Sequence, residues 1–303
     1  MSNRDNTLRF IVSEKENGFK LKEYLKITAQ LSSRFITKAV KEDRIRVNNQ
    51  KLTLAFVLKT GDIIDIKINR EEHQDIIPEK IDLTIIYEDE DIIVVDKPNG
   101  MVVHPTKRHL NGTLANGLLY YFQEKGSNNI VRLVNRLDMD TSGLILVAKN
   151  SYSHMSLSRD MVKDEFVKSY LAIVHGNITE KNGTIDKPIY RVGEGTIKRI
   201  IDEKGQRSVT KYEVVESFKG ADLVKLTLLT GRTHQIRVHL SSIGHPIYGD
   251  GLYGEEEKDY ITRQALHAYR LEFPHPTSNK IIKLESSIPK DMNDLINILK
   301  NRH

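Results

Sequence analysis

The sequence predicts an α+β protein in which a small α/β domain precedes a larger domain built on a mixed, largely antiparallel β-sheet. From Leu83 onward, short apolar runs typical of strands dominate and do not alternate regularly with helices. Residues 1–70 instead combine two helical patterns with short strands. A charged, proline-containing stretch at 70–80 is typical of a linker. We therefore place the two domains at residues 1–75, with the linker, and 76–303.

Short elements fill the first domain. Residues 8–13 predict a strand, and apolar positions at helical spacing predict a helix over 20–27. A second helix begins after Ser32 or Ser33, either of which is a good N-cap, and its apolar stripe starts at Phe35. Paired strands around an Asn-Asn turn, and then a turn followed by a strand, are predicted at residues 44–54 and 59–68.

Apolar runs and helical periodicity predict seven strands and three helices in the second domain. The strands are expected at residues 83–89, 91–98, 143–150, 169–176, 210–217, 221–229 and 265–273. The helices are expected at residues 114–123, 152–161 and 235–242. No internal repeat or low-complexity tract interrupts this pattern, which is that of a globular protein.

Composition excludes several classes of protein. The 303 residues are 39% hydrophobic and 29% charged, a balance that supports a buried core and not a disordered chain. There is no cysteine, so disulfides and thiolate metal sites are impossible. No stretch approaches the roughly 20 apolar residues of a membrane helix, and the polar N-terminus lacks the apolar core of a secretory signal. We expect a cytoplasmic protein without a membrane partner.

Positive charge is concentrated in the first domain. Residues 1–70 contain fifteen Lys or Arg and eight Asp or Glu, a net charge of +7, whereas residues 71–303 contain 31 basic and 33 acidic residues, a net charge of −2. This asymmetry favours a surface that contacts phosphates. The alternative is an ordinary solvated helix face. The candidate residues are Arg34, Lys38, Lys41, Arg44 and Arg46.

A polar loop before a buried strand, residues 134–150 (VNRLDMDTSGLILVAKN), is the most informative stretch. Asp138 and Asp140 fit positions one and three of an EF-hand calcium loop, but Lys149 stands where the bidentate glutamate is needed. An aspartic protease needs two facing carboxylates from two Asp-Ser/Thr-Gly turns, and the sequence has no second copy. We reject both interpretations.

The same loop resembles the active-site segment of RluA-type RNA pseudouridine synthases, which is His-Arg-Leu-Asp, two variable residues, then Thr-Ser-Gly. Residues 135–143 match it at every position except Asn135. Four further stretches resemble blocks of the same family in order and approximate spacing, namely residues 91–105 (DIIVVDKPNGMVVHP), 167–176 (VKSYLAIVHG), 228–254 (LLTGRTHQIRVHLSSIGHPIYGDGLYG) and 266–276 (LHAYRLEFPHP). Together they cover most of residues 80–276 and imply the pseudouridine synthase fold.

The resemblance implies a role for four residues. Asp138 is the catalytic carboxylate, either as a nucleophile or as a base that abstracts a ribose proton, and the sequence does not decide between the two. Arg237 is its cationic partner. Arg136 helps to fill the space left by the extruded base, and Tyr170 stacks on the uracil. The structural alternatives are a turn-forming Asp138, a surface salt bridge of Arg136 and a core Tyr170.

Other residues of the matched blocks bear on metal, cofactor and loop geometry. His234, His239 and His245 lack the i,i+4 pairing of helical zinc sites, so we expect no metal. The sequence has no strand followed by a Gly-rich loop and a helix, the unit that binds nucleotide cofactors. We therefore expect no organic cofactor. Arg232 and His234 are expected to contact RNA phosphates or to brace the active-site loop. Asn135 can supply a donor and an acceptor similar to those of the family's histidine.

The first domain resembles the S-four-like RNA-binding module of ribosomal proteins and RNA-modifying enzymes. The two resemblances imply an isomerase that acts on uridines of structured RNA, above all large-subunit ribosomal RNA or else transfer RNA, and we expect a monomer. Two rivals remain. One is a non-catalytic RNA-binding or ribosome-assembly protein. The other is an RNA glycosidase, which releases uracil and normally needs a second carboxylate, for which Asp140 is the candidate.

Overall fold

The structure, a computed structural model, describes residues 7–68, 74–193 and 195–302, which contain six α-helices and fifteen strands. The helices are α1 (Leu21–Ile27), α2 (Ser33–Lys41), α3 (Leu114–Glu124), α4 (Ser151–Asp160), α5 (Gln235–Ser242) and α6 (Lys290–Lys300). The strands are β1 (Thr7–Ile11), β2 (Ile45–Val47), β3 (Ile63–Lys67), β4 (Thr84–Glu88), β5 (Ile92–Lys97), β6 (Arg132–Leu133), β7 (Ser142–Ala148), β8 (Val167–His175), β9 (Asn182–Asp186), β10 (Ile189–Arg191), β11 (Arg199–Ile201), β12 (Val209–Phe218), β13 (Ala221–Leu228), β14 (Leu266–Pro274) and β15 (Ile281–Glu285).

A three-stranded antiparallel sheet in the order β1-β3-β2 packs with α1 and α2 around its own apolar core. Ser32 is the N-cap of α2, since its hydroxyl accepts a hydrogen bond from the Phe35 N–H at 3.1 Å. Tyr152 and Met155 of α4 pack against this core from the larger part of the chain. The small sheet is therefore in direct contact with the rest of the protein.

The predicted turn at Asn48 and Asn49 is confirmed, because both residues have a positive φ, 48° and 64°. The second strand predicted within residues 44–54 is wrong. Its apolar residues pack against the first core, while the carbonyls of Leu54 and Phe56 accept hydrogen bonds from the first turn of α1. Alternating apolar residues here serve to cap a helix and do not pair with a strand.

The second sheet has ten strands, with the order β4-β5-β7-β14-β8-β13-β12-β9, β15 beside β14 and β6 beside β7. Among the described pairs only β7 and β14 run parallel, so the sheet is mixed and largely antiparallel. The fold class and the seven strands and three helices predicted for this part of the chain are confirmed, with boundaries within two residues. The strands β6, β9, β10, β11 and β15 and the helix α6 were not predicted.

The backbones of the parallel strands β7 and β14 lie close together at Gly143 and Ala268. Gly143 has a φ of 114°, and a Cβ atom at this position would lie 2.3 Å from the Ala268 carbonyl oxygen. Only glycine permits this approach. The start of β7, directly after the polar loop, is thereby fixed against β14.

The predicted linker falls partly outside the described residues, which omit 69–73. Residues 74–80 form no regular element but pack on the larger part of the chain. The Gln74 side chain donates to the Val131 carbonyl at 3.3 Å and accepts from the Val131 N–H at 3.0 Å. None of the helices in the described ranges is long and apolar enough to cross a membrane.

Candidate active site

Asp138 lies in a tight loop between β6 and β7. The Thr141 N–H donates to the Asp138 carbonyl at 3.1 Å and closes the turn. Asn135, which is 6% exposed, fastens the entry of the loop to β7. Its Nδ2 donates to the Leu144 carbonyl at 3.0 Å, and its Oδ1 accepts from the Leu146 N–H at 2.7 Å. The donor-and-acceptor role predicted for Asn135 is confirmed.

The Asp138 carboxylate faces α5, as predicted from the Arg237 match. The Arg237 Nη1 donates to Asp138 Oδ2 at 3.2 Å, although 99 residues separate the two. The His234 Nε2 lies 3.8 Å from the same oxygen. The Asp138 side chain keeps 27% exposure, so the carboxylate is paired and still open to a ligand.

Asp250 aims the Arg237 guanidinium and was missed by the sequence analysis. Arg237 Nε and Nη2 donate to the two Asp250 carboxylate oxygens at 2.7 and 2.8 Å, a bidentate geometry. Burial lowers the pKa of Arg237, but the hydrogen bonds and charges of Asp250 and Asp138 outweigh it and raise that pKa above the usual range. The guanidinium also lies over the Tyr253 ring, 5.2 Å from its centroid. Asp250 stands in the YGDGLYG part of a matched block, where it could have been found.

A cavity of about 610 Å³ opens above Asp138, a volume typical of small-ligand pockets. Asp138 is the one acidic residue in its described lining, which also holds four cations. These cations are Arg136, Lys168, Arg232 and Arg237. The cavity is therefore suited to an anionic ligand that also meets a carboxylate.

Tyr170 is a core residue that also lines the cavity. It is 6% exposed and belongs to a buried apolar cluster, and it also lines the cavity with Asp138. Burial and then the charge of Asp138 raise the pKa of Tyr170, so the phenol stays neutral at physiological pH. Its ring is held in the cavity wall, as a stacking platform requires.

Arg136, Arg232 and His234 all line the cavity but differ in their contacts. Arg136 and Arg232 are exposed. In the described part of the chain, Arg136 has no salt bridge to Asp138 or Asp140. His234 begins α5 in the left-handed conformation with a φ of 58°, and its Nδ1 lies 2.9 Å from the Tyr253 hydroxyl.

His234 therefore connects the Asp138 carboxylate with Tyr253 through its two ring nitrogens. Burial lowers the pKa of His234 more than the Asp138 charge raises it, so the imidazole is neutral near pH 7. Of the two roles expected for His234, these contacts favour support of the active-site loop over a contact with phosphate.

Lys97, which was not predicted as a site residue, supports the loop that carries Asp138. It is fully buried, and its Nζ donates to the backbone carbonyls of Pro98, Met101 and Met139 at 2.7, 2.9 and 2.8 Å. Burial lowers the pKa of Lys97 to about 8. The ammonium thus ties the end of β5 to the residue after Asp138.

Arg263 and Gln264 hold the other side of the loop, just before β14. Arg263 Nη1 donates to the Asp140 carbonyl at 3.0 Å, while Nε and Nη2 donate to the Asp291 carboxylate at 2.6 and 3.0 Å. Gln264 Nε2 donates to Thr141 Oγ1 at 3.2 Å. Helix α6, which carries Asp291, is thereby connected to the active-site loop.

The basic residues predicted in the first domain lie away from this cavity. Arg34 and Lys38 line a separate open cavity of about 630 Å³ together with Lys41. Arg46 forms a salt bridge with an aspartate at 3.3 Å. Arg44 is 6% exposed and donates to Glu42 and to two backbone carbonyls, so burial argues against a phosphate contact.

The predicted absence of a metal site concerns His234, His239 and His245. In the ranges that the structure describes, no three His, Asp or Glu side chains are grouped as metal ligands. His239 instead bonds Thr210 Oγ1 at 2.9 Å, and His245 bonds a backbone carbonyl at 2.8 Å. These histidines have structural partners.

Known proteins resemble the chain over most of its length. A family model described as RNA pseudouridylate synthase matches residues 91–242. The Bacillus subtilis (strain 168) protein named "Uncharacterized RNA pseudouridine synthase YlyB" is 39% identical over 98% of this chain and 99% of its own. The ribosomal large subunit pseudouridine synthase D of Nitrosomonas europaea is 36% identical over 98% of this chain and 89% of its own.

Solved structures agree with this likeness. The structure of human RNA pseudouridylate synthase domain containing 4 covers 72% of this chain and 93% of its own, with a TM-score of 0.60 and 25% identity. That of human RNA pseudouridylate synthase domain containing 1 covers 73% and 96%, with a TM-score of 0.56 and 29% identity.

Proposed function

The chain belongs to the RNA pseudouridine synthase family, as its motifs predict, and on this premise we propose that it isomerises uridine in large-subunit ribosomal RNA with Asp138 as its catalytic carboxylate. Enzymes of this family convert uridine to pseudouridine in RNA. The choice of ribosomal RNA rests on relatives named ribosomal large subunit pseudouridine synthase D, which match 81–98% of this chain at 35–40% identity. Transfer RNA is the alternative substrate.

We assign the chemistry to Asp138 because it is the one carboxylate in the described lining of a cationic cavity. Pseudouridine formation breaks the bond between the ribose C1′ and the uracil N1, turns the base and joins C1′ to C5, while the C5 proton is lost and N1 gains one. An ionised Asp138 can attack C1′ or abstract a ribose proton. The Arg237 Nη1, which donates to Asp138 Oδ2 at 3.2 Å, orients the carboxylate for either route.

Tyr170 and Arg136 suit the extrusion of the target base. The sugar-base bond cannot be worked on inside a stack, and extrusion costs a few kcal/mol. Tyr170 offers a buried ring beside Asp138, on which the extruded uracil can stack. Arg136 stands exposed at the cavity, where its side chain can occupy the space that the base leaves.

The first domain is proposed to bind RNA phosphates as an S-four-like module. Arg34 and Lys38 line an open basic cavity, and Arg46 is partly exposed, whereas Arg44 is left out because it is buried. Deleting residues 1–72 is expected to weaken binding to all RNAs and to lower its salt dependence. Loss of one target among several would indicate substrate selection instead.

We include a monomeric state and a cytoplasmic location in the proposal. One chain supplies both Asp138 and its cationic partner Arg237, so the proposed chemistry requires no residue of a second copy. Ribosomal RNA as the substrate supports the location. Light scattering in solution checks the first point, and cell fractionation checks the second.

Site-resolved pseudouridine mapping of total RNA tests the function. Cells that lack the protein are complemented with the native chain, with Asp138→Asn, or with Asp140→Asn as a matched control in the same loop. We expect specific pseudouridines to vanish and to return with the native chain and the Asp140→Asn variant alone. Restoration by Asp138→Asn would leave a non-catalytic RNA-binding protein, and release of free uracil would indicate a glycosidase that uses both carboxylates.

A further inference from the structure

Lys168 lines the cavity but has no part in the proposed chemistry. It lies on β8 two residues before Tyr170, so both side chains point to the same face of the sheet. It is 5% exposed. An ammonium group buried in the wall of a substrate cavity requires a physical explanation, because burial without a partner is costly.

No carboxylate compensates this charge within the described residues. The Lys168 side chain makes no hydrogen bond or salt bridge there, and its Nζ lies 5.6 Å from the centroid of the Phe166 ring. The contrast with Lys97 is instructive, because that buried lysine donates to three carbonyls. Burial lowers the pKa of Lys168, and an anion from a ligand would reverse that effect.

We infer that Lys168 binds a backbone phosphate that flanks the target uridine. The inference rests on the proposed function, which brings RNA into the cavity. A phosphate supplies the full negative charge that a buried ammonium needs, whereas a uracil carbonyl supplies a dipole. Asp138 does not serve, because its salt bridges in the described part of the chain are to His234 and Arg237 and not to Lys168. Lys168 is therefore a substrate-binding residue that places the nucleotide while Tyr170 holds its base.

The test replaces the lysine and the phosphate separately. Purified native enzyme is first incubated with total RNA from cells lacking the protein, and mapping identifies the modified uridine. Synthetic RNAs spanning it then carry ordinary phosphates, or one neutral methylphosphonate on the 5′ or the 3′ side. The proteins are the native chain, Lys168→Met, Lys168→Arg and the control Lys225→Met, whose lysine is exposed and paired with Glu213 at 2.9 Å.

We expect Lys168→Met to lower kcat/KM by about 10- to 100-fold on ordinary RNA, the range of a charge-assisted hydrogen bond. One of the two methylphosphonates should lower kcat/KM of the native enzyme by a similar factor. On that RNA, Lys168→Met should lower kcat/KM no further. Lys168→Arg should recover part of the activity, and Lys225→Met should match the native chain. A Lys168→Met penalty that is equal on all three RNAs, or absent, overturns the inference.

Two controls separate the possible failures. If Lys168→Met does not unfold cooperatively on heating, the native enzyme decides the matter, since full activity on both methylphosphonate RNAs overturns the phosphate contact. A native enzyme that makes no pseudouridine in total RNA overturns the proposed function and this inference with it. Native activity together with an unaffected Lys168→Met variant overturns the inference alone.

Discussion

The buried ion pair of Arg237 and Asp250 can be tested by a double-mutant cycle. In Arg237→Met, the Asp250 side chain, with 0% exposure, loses its cation. In Asp250→Asn, the guanidinium keeps Asp138 as its one charged partner among the described residues, while the asparagine can still accept hydrogen bonds from the N–H groups of Leu252 and Tyr253. Arg237→Met leaves a buried carboxylate without its cation, and Asp250→Asn leaves a buried guanidinium without its bidentate partner.

The magnitudes follow from that burial. Removing one partner of a buried pair costs about 3–5 kcal/mol, so each single variant should lose that much free energy of unfolding. The double variant leaves neither charge buried, because Asp138 keeps 27% exposure and water can solvate it. We therefore expect the double variant to lose no more than either single variant, at most about 3–5 kcal/mol, where additive effects would give about 6–10 kcal/mol.

Urea unfolding at pH 7, followed by circular dichroism and extrapolated linearly to water, measures the four free energies. The exposed pair of Arg207 and Asp186, 2.8 Å apart, is the matched control, and its cycle should show little change. Additive losses in the Arg237 and Asp250 cycle would refute the reasoning. They would mean that the two charges do not compensate each other in the folded protein.

Three further predictions concern the loop that carries Asp138. Burial lowers the pKa of Lys97 to about 8, so between that pH and its ordinary pKa of 10.5 the unfolded chain binds more protons. The stability of the native protein relative to Lys97→Met should therefore rise by roughly 3 kcal/mol from pH 8 to 10.5 in urea titrations, and a flat difference contradicts this. Arg263→Met releases the Asp140 carbonyl and should lower kcat by about 100-fold with little change in KM in steady-state kinetics. An unchanged kcat would mean that the loop keeps its conformation without the hydrogen bond from Arg263. Asn135→Ala removes both bonds to β7 and should cost about 1–3 kcal/mol of unfolding free energy, whereas a loss near zero in urea would mean that the loop entry is not pinned.

The sequence predicts the elements whose patterns are local. The buried run of β7 and the apolar stripe of α2 were read directly, and the matched blocks brought Asp138, Arg237 and Tyr170 together before any contact was known. Helix α6 was readable too, since Met292 and Leu295 begin a buried stripe at helical spacing. Strands β10 and β11 have three residues each, too few to show a period.

The supports of the site are harder to predict because they depend on contacts between distant residues. Arg263 reaches the Asp140 carbonyl across 123 residues of sequence, and no local period records such a pair. Counting charges along the sequence does not predict which basic residues are exposed, for a related reason. Arg44 and Arg46 stand two residues apart in the same basic segment, yet only Arg44 is buried, and burial depends on the tertiary packing around each side chain.

The span between Asp138 and Arg237 also determines when the enzyme can become active during its synthesis. At about 5–20 residues per second, a ribosome that has added Asp138 needs roughly 5–20 seconds to add the next 99 residues, which end at Arg237. The brace from Asp291 comes later still, in α6. A nascent chain therefore carries Asp138 before Arg237 and Asp291 have been made, and we expect it to leave the surrounding RNA unmodified until translation has passed Asp291.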